Sequence, residues 1–383
     1  MITVLDAPCG AGKSTWAIEY INSNPQVNFI VITPFLKEVE RFKRECSAAN
    51  FKEPKKEQTK LNSFHRLLSK GENIVSTHSL FSNSTEETRE LIAANDYILI
   101  LDEVMSVVTE LSLKPCDLKL ILECKYAHVD STDHLVWDKE DYIGKFMDIK
   151  EYSQKGSVVV VKDTALLWEF PADIFKCFKE TYVLTYMFMC QIQRYYYDLH
   201  GITYELKGVT GEYHDEPLEG ELVDIYEGKL NTVGDKETAL SKSWYQKSPR
   251  AVRELLRNNA YNFLYNMLSS TSSNSMWTTF KQFKRFMRLS GYAKGFVPCN
   301  ARSTNEHINR DSIAYMVNIY MNPMIVAYFQ ERGIKVDQDA YATSELIQWL
   351  YRSCIRIHKR VSLYIPSSRM RRLLKQKLRK KTP

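Results

Sequence analysis

The sequence predicts an α/β protein built as two lobes, each a mostly parallel sheet flanked by helices. Three observations predict it. Short β-branched runs alternate with helical patterns through the first 110 residues, a second alternation begins near residue 249, and a polar, Gly-rich stretch at about 200–248 separates them. Brief apolar runs followed by 3.6-period segments read as buried parallel strands joined by crossover helices.

In the first lobe, ITVLD (2–6), FIVITP (29–34), NIVSTH (73–78) and YILILD (97–102) are the expected strands, with helices at about 14–22, 36–47 and 104–112. The stretch 116–170 is less regular. HLVW and SVVVV within it read as strands of an insertion, before the sheet resumes at TYVLTYMF (181–188). In the second lobe, PRAVRELLRNNAYNFLYNMLSS predicts a helix, SMWTTF a strand, KQFKRFMRLS a helix and GFVPCN a strand. HINRDSIAYMVNIY and SELIQWLYRSCIR predict helices, and RVSLYIP a last strand. The expected boundaries are an N-terminal lobe at 1–200, a connecting region at 201–248 and a C-terminal lobe at 249–383 with a basic tail.

Composition narrows the class. At 44% hydrophobic and 26% charged residues, 383 residues suffice for substantial cores. No apolar run approaches the ~18 residues of a membrane span, and the N-terminus enters a strand directly, without the pattern of a signal peptide. Eight cysteines occur singly, with no C-x-x-C pair, which predicts reduced thiols and a cytoplasmic location. From Arg352 onward there are twelve Lys/Arg and no Asp/Glu, so the rest of the chain carries a net −6. Such a tail suits either a solvated helical face or a polyanion partner, because neutralised phosphates release counterions.

The chemistry starts at APCGAGKS, residues 7–14. Gly10 and Gly12 let the backbone wrap a phosphate chain, and the following helix start adds aligned N–H donors. The expected nucleotide-binding residues are Pro8, Cys9, Gly10, Ala11, Gly12, Lys13, Ser14 and Thr15. Lys13 would reach the β- and γ-phosphates, and Ser14 would place its hydroxyl on Mg2+. Asp102 and Glu103 close the strand YILILD, 89 residues beyond Lys13. Asp102 suits a role in holding Mg2+ and Glu103 that of a general base for the attacking water. A nucleoside triphosphate and Mg2+ are therefore the expected cofactors.

With Ala7 leading the loop and Asp102–Glu103 about ninety residues on, the sequence resembles the superfamily 2 helicases of the DEAD/DEAH-box kind, and short bacteriophage-encoded helicase-like proteins in particular. The resemblance implies that the triphosphate is ATP, and two RecA-like lobes with nucleotide in the cleft between them. Thr33 and Pro34 are similar to the motif that grips the nucleic-acid backbone, and Thr77–His78 to the "TH" element. Residues 299–307, CNARSTNEH, resemble the strand-end loop that couples nucleotide to nucleic acid, with Arg302, Thr304 and Asn305 as candidates. Gln348, Arg352 and Arg356 resemble the arginine motif of the second lobe. Their four-residue spacing predicts one helical face, and the resemblance implies that an arginine there stabilises phosphoryl transfer, an effect of roughly 10³–10⁵ in rate.

Two departures from the pattern stand out. Only six residues precede Ala7, so no adenine-reading Gln motif is expected. LTYM (184–187) keeps only Thr185 of the family's Ser-Ala-Thr. The expectation is thus a nucleic-acid-stimulated ATPase acting as helicase or translocase, with DNA favoured over RNA and other replication or recombination proteins as further partners. A loading or scaffold ATPase without unwinding, and a small-molecule kinase, are the alternatives. HVDSTDH (128–134) reads as a polar turn rather than a metal site, and RYYYDLHG (194–201) as core or connection rather than a base-stacking platform.

Overall fold

The computed structural model describes residues 1–56, 58–214, 218–301 and 306–379. It divides into two compact units. One comprises Met1–His214 with Asn322–Val336, the other Asp215–Met321 with Asp337–Pro383.

The first unit is organised by six parallel strands, β1 (Ile2–Asp6), β2 (Phe29–Thr33), β3 (Ile74–Thr77), β4 (Ile98–Asp102), β5 (Glu180–Thr185) and β6 (Tyr204–Lys207). Their spatial order is β6-β1-β5-β4-β2-β3. β1, β2 and β4 are buried along their whole length, which is why they read as unbroken apolar runs rather than alternating ones. Leu5, Ile21, Val31, Val39, Phe42, Ile100 and Leu184 form the core beneath the helices on one face.

The expected helix at 104–112 is absent. Glu103 adopts φ 74°, which stops a helix at its first residue. The β-branched run Val107-Val108-Thr109 then enters a strand, Val108–Glu110, antiparallel to Ala165–Glu169. Val158–Val161 completes that three-stranded sheet, and a hairpin pairs Ala127–Val129 with Leu135–Trp137. This insertion has its own core, including Leu118, Ile121, Leu135, Ile149, Val158 and Leu166.

The helix Pro323–Glu331 packs into the first unit although residues of the second unit both precede and follow it in sequence. Ile325 to Phe329 are all buried, and the Phe329 ring lies 5.9 Å from Tyr195. Arg332 pairs with Asp133 at 2.8 Å, and Asn322 donates to Glu110 at 2.6 Å. Tyr195, Tyr196 and Tyr197 are consequently core residues, each no more than 1% exposed.

The second unit carries four parallel strands, β7 (Val223–Ile225), β8 (Ser275–Thr278), β9 (Ser312–Tyr315) and β10 (Val361–Tyr364), in the order β7-β10-β9-β8. β9 replaces part of an expected helix. A short apolar run has no periodicity that separates a buried strand from a buried helix, and here pairing on both sides decides. KQFKRFMRLS forms one 3₁₀ turn, Lys281–Phe283, in place of a helix. GFVPCN makes only an isolated bridge, from Phe296 to Trp277; Pro298 follows closely and has no N–H to extend a ladder.

The helix containing Gln348 runs Gln338–Leu350 and then stops. Arg352 N–H bonds to Trp349 and Ser353 N–H to Leu350, and Ser353 caps a separate 3₁₀ turn, Cys354–Ile357. Gln348, Arg352 and Arg356 therefore do not share one continuous helical face.

Four of the five cations of the terminal helix are paired with carboxylates of their own unit. The helix Ser368–Lys377 pairs Arg372 with Glu237, and Lys375 and Arg371 with Glu227. Arg369 is 2% exposed. It meets Asp339 at 2.7 Å, the side chain of Asn318 at 2.9 Å and the Ile319 carbonyl at 2.7 Å. Arg369→Ala should destabilise the protein by about 3 kcal/mol, because it strands buried acceptors. Urea unfolding followed by tryptophan fluorescence measures this, and a change below about 1 kcal/mol would refute the anchoring role.

Candidate functional site

The loop after β1 and the acidic end of β4 meet at the carboxyl edge of the six-stranded sheet. β5 lies between β1 and β4, so the two strands are separated by roughly 9–10 Å, twice the interstrand spacing. The loop and the acids thus flank the carboxyl end of β5.

The loop conformation depends on two glycines. Gly10 has φ 100° and Gly12 has φ 86°, a region that side chains with a Cβ rarely enter. Gly12 is the N-cap of the helix Lys13–Ser23, whose first turn carries no acid, so its positive end remains uncompensated. Lys13 is buried, and its ammonium donates to the carbonyls of Ala7 and Pro8. Both of these acceptors are neutral oxygens. Pro8, Cys9, Gly12 and Ser14 are half-buried, while Gly10, Ala11 and Thr15 are exposed.

Ser14 Oγ donates to Asp102 Oδ1 at 3.2 Å. Asp102 is 6% exposed. Burial, with the Glu103 charge as a smaller contributor, pushes its carboxyl up to about 7. A serine hydroxyl beside a buried carboxylate whose ionisation is opposed by its surroundings is a hard-oxygen pair suited to Mg2+, which takes one or two protein oxygens and completes its shell with phosphate and water. The site thus fits that ion. Glu103 is half-buried. Its N–H bonds to the Leu184 carbonyl at 2.8 Å, and Thr185 Oγ1 approaches its carboxylate at 3.5 Å. The left-handed backbone at Glu103 turns the chain off β4.

Two positioning residues have no motif to announce them. Asp6, buried at the end of β1, accepts N–H bonds from Met187 at 2.7 Å and Phe188 at 2.8 Å. It ties the root of the phosphate loop to the turn after β5. Gln193 accepts from Met105 N–H at 2.8 Å and so holds the segment that follows the acids. An acid ending an apolar strand is the only sequence signal for Asp6; Gln193 has none.

The remaining predicted residues are distributed as follows. Thr33 and Thr77 are register partners at the same carboxyl edge. Thr33 is fully buried, with its hydroxyl on the Phe35 carbonyl at 2.9 Å. Pro34, Thr77 and His78 are half-buried. Gln348 and Arg352 are buried and Arg356 half-buried, all in the second unit. Arg302, Thr304 and Asn305 lie outside the described residues. The eight cysteines are all free thiols. In the turn at 128–134, Asp130 Oδ1 accepts from Thr132 and His134 N–H groups, and no metal-binding group of three or more His, Cys, Asp or Glu occurs among the described residues. No helix among them is long and apolar enough to cross a membrane.

The two units, each a parallel sheet flanked by helices, make an α/β fold of two RecA-like lobes. Across 98% of this chain and 93% of the other, the fold matches the structure of S. tokodaii Xpd4 with a TM-score of 0.50 at 10% identity. Overlap with a DEAD box protein from the hyperthermophile Methanococcus jannaschii is looser, at TM-score 0.31 and 11% identity over 99% and 86% of the two chains. The chain belongs to the YonV family. It is 39% identical, over 97% of both chains, to the SPbeta prophage-derived uncharacterized protein YonV of Bacillus subtilis strain 168. The YonV C-terminal Rossmann-like domain matches residues 218–378, and the YonV middle domain matches residues 108–168.

Asp6→Ala leaves two buried N–H groups without their acceptor and should cost about 2–4 kcal/mol. Asp6→Asn, which keeps one acceptor, should recover part of the loss; equal stability of wild type and Asp6→Ala in urea melts would refute the link. Asp102 carries a second expectation. Its folded-state carboxyl titrates above its unfolded value, so the folded state binds more protons between about pH 4 and 7 and loses stability as pH rises through that window. In magnesium-free buffer, Asp102→Asn should therefore stabilise the protein more at pH 8 than at pH 5. A stability gain independent of pH would contradict the assignment.

Proposed function

We propose that this chain is a nucleic-acid-stimulated ATPase working as a helicase or translocase, on DNA in phage replication or recombination. The observation that carries this reading is the meeting of Ser14 with Asp102 at 3.2 Å, with Glu103 beside them and Lys13 inside the loop. A structural helix cap has no need for a buried lysine turned onto loop carbonyls beside two acids. The prophage origin of the 39%-identical relative supports the phage setting.

Each residue then has a defined task. Backbone N–H groups from Cys9 to Thr15 wrap the phosphates of ATP, and Lys13 contacts the β- and γ-phosphates. Ser14 and Asp102 would hold Mg2+, which supplies charge neutralisation for the phosphate oxygens. Glu103 accepts the proton of the attacking water, with Thr185 close enough to orient its carboxylate. Gln348 and Arg352, with Arg356 in a secondary part, take the phosphate-sensing role that the family resemblance implies. Nucleic acid would be touched by Pro34, Thr77, His78 and the backbone at Thr33, whose own hydroxyl is committed to Phe35. Arg302, Thr304 and Asn305 are proposed for the same contact from the second unit.

A specific observation favours a second reading. The stretch that stands for the helicase pattern's Ser-Ala-Thr is LTYM (184–187), which keeps only Thr185, with its hydroxyl 3.5 Å from the Glu103 carboxylate. A nucleotide-gated loading or scaffold ATPase, which hydrolyses without unwinding, fits that reduced coupling element. A strand-displacement assay distinguishes the two.

Steady-state ATP hydrolysis, measured alone and with single-stranded DNA, duplex DNA or RNA at two salt concentrations, tests the assignment. Stimulation by one polymer is expected. Lys13→Ala should abolish turnover, and Arg352→Ala should lower it by at least 10³ if it acts on the transferring phosphoryl group. Unimpaired hydrolysis in Lys13→Ala would remove the ATPase assignment altogether.

A further inference from the structure

The terminal helix is the most basic segment by sequence, yet four of its five cations, Arg369, Arg371, Arg372 and Lys375, are paired with Glu227, Glu237 and Asp339. The second unit has another basic surface, which is not neutralised. Between Glu254 and Glu306 the chain runs for 51 residues with seven Lys/Arg and no Asp/Glu. Lys281, Lys284, Arg285, Arg288 and Lys294 belong to that run and are all exposed. Among the described residues none of the five is held in an ion pair.

Packing explains why these cations face outward together. Around the 3₁₀ turn Lys281–Phe283, Phe283 stacks on Tyr245 with centroids 4.9 Å apart, and Met287 and Leu289 are buried in the unit's core. With the apolar members of the segment plugged inward, positions 281, 284, 285 and 288 are left on the outside. Aromatic rings fasten the basic side chains of this region. Arg253 and Arg257 of the helix Arg250–Asn262 lie 4.9 and 5.8 Å from the Phe286 ring, and the Lys284 ammonium lies 4.4 Å from the Phe296 ring. Tyr261 joins this helix to the segment through Tyr292, 6.1 Å away, and stacks on Tyr265 at 5.3 Å. Tyr265 is 55% exposed, with one ring face on Tyr261 and the ring otherwise open to solvent.

We propose that this face of the second unit, built by the helix Arg250–Asn262 and residues 281–294, binds single-stranded nucleic acid. Phosphates meet Lys281, Lys284, Arg285, Arg288 and Lys294, and a base stacks on Tyr265. The chemistry is that of a positive track with an aromatic platform, in which charge supplies affinity and stacking tolerates any base. The proposal rests on the nucleic-acid part of the function proposed above but assigns the contact to residues outside every motif discussed there. It also removes the terminal helix from the role that its composition suggests.

Fluorescence anisotropy of labelled dT20 and rU20, titrated over a range of salt concentrations with the full chain, tests it. The double variant Arg285→Ala/Arg288→Ala is compared with Arg372→Ala/Lys375→Ala, which removes the same charge from the tail. The first should weaken binding at least tenfold and lower the slope of log affinity against log salt by roughly 1.4, given about 0.7 per phosphate contact of a single strand. The tail variant should change the slope by less than half as much. Tyr265→Ala should weaken binding roughly fivefold or more with the slope unchanged. Thermal melts and basal ATPase rates, expected to be unchanged in the Arg285/Arg288 variant, guard against misfolding. If the wild type binds and the tail variant rather than the 285/288 variant loses the salt slope, this surface is wrong while the proposed function stands. If the wild type binds neither oligonucleotide, the nucleic-acid reading falls and this inference with it, whatever the ATPase assay returns. Stronger retention of one oligonucleotide identifies the track as DNA or RNA.

Discussion

The candidate site depends on β5 lying between the strand that carries the phosphate loop and the strand that carries the acids. If β1 and β4 were direct neighbours, the loop would crowd the carboxylates and leave no span for a polyphosphate. With β5 interposed, the sheet itself sets the gap, and the helix start brings Ser14 back across it to Asp102. Asp6 secures the arrangement from below. Its carboxylate accepts two N–H groups from the turn after β5, so the loop strand and the intervening strand end in a fixed relation. Each of its carboxylate oxygens accepts a backbone N–H, which gives the acid a geometric role.

Buried charge follows a consistent logic across the molecule. Asp102 is buried against its own ionisation, a condition that favours a cation at the site. Arg369 is buried just as deeply, yet an acid, an amide and a carbonyl satisfy it, a condition that favours structure. The exposed cations at 281–294 have no ion pair among the described residues, the condition that the proposed polyanion contact requires. Desolvation and partner count thus separate three kinds of charged residue that a net charge of +6 merges into one number.

Chain routing carries a further constraint. After β9 the chain returns to the first unit as the helix Pro323–Glu331, buries five consecutive apolar residues there, and then resumes the second unit. Tyr195 and Phe329 meet across this return. The aromatic run at 194–197 is explained by this packing and needs no ligand.

Much of the first unit and its site was legible in the sequence, because fully buried parallel strands are apolar along their whole length and a phosphate loop needs glycine where φ is positive. The strand ends at Asp6 and Asp102, and those near Thr33 and Thr77, follow from those local requirements, whereas the pairing of Ser14 with Asp102 joins residues 88 apart and needs the sheet. What local pattern could not decide was settled by tertiary contacts. Ser312–Tyr315 is a strand because two neighbours pair with it, and residues 104–107 are not helical because Glu103 turns left-handed beside Leu184. The Gln348 helix ends at Leu350 because Ser353 starts a new turn. Asp6 and Gln193 acquire their roles only when distant backbone arrives at their side chains. Charge was the most misleading signal: a sequence counts cations, and only the folded chain shows which of them already have a carboxylate.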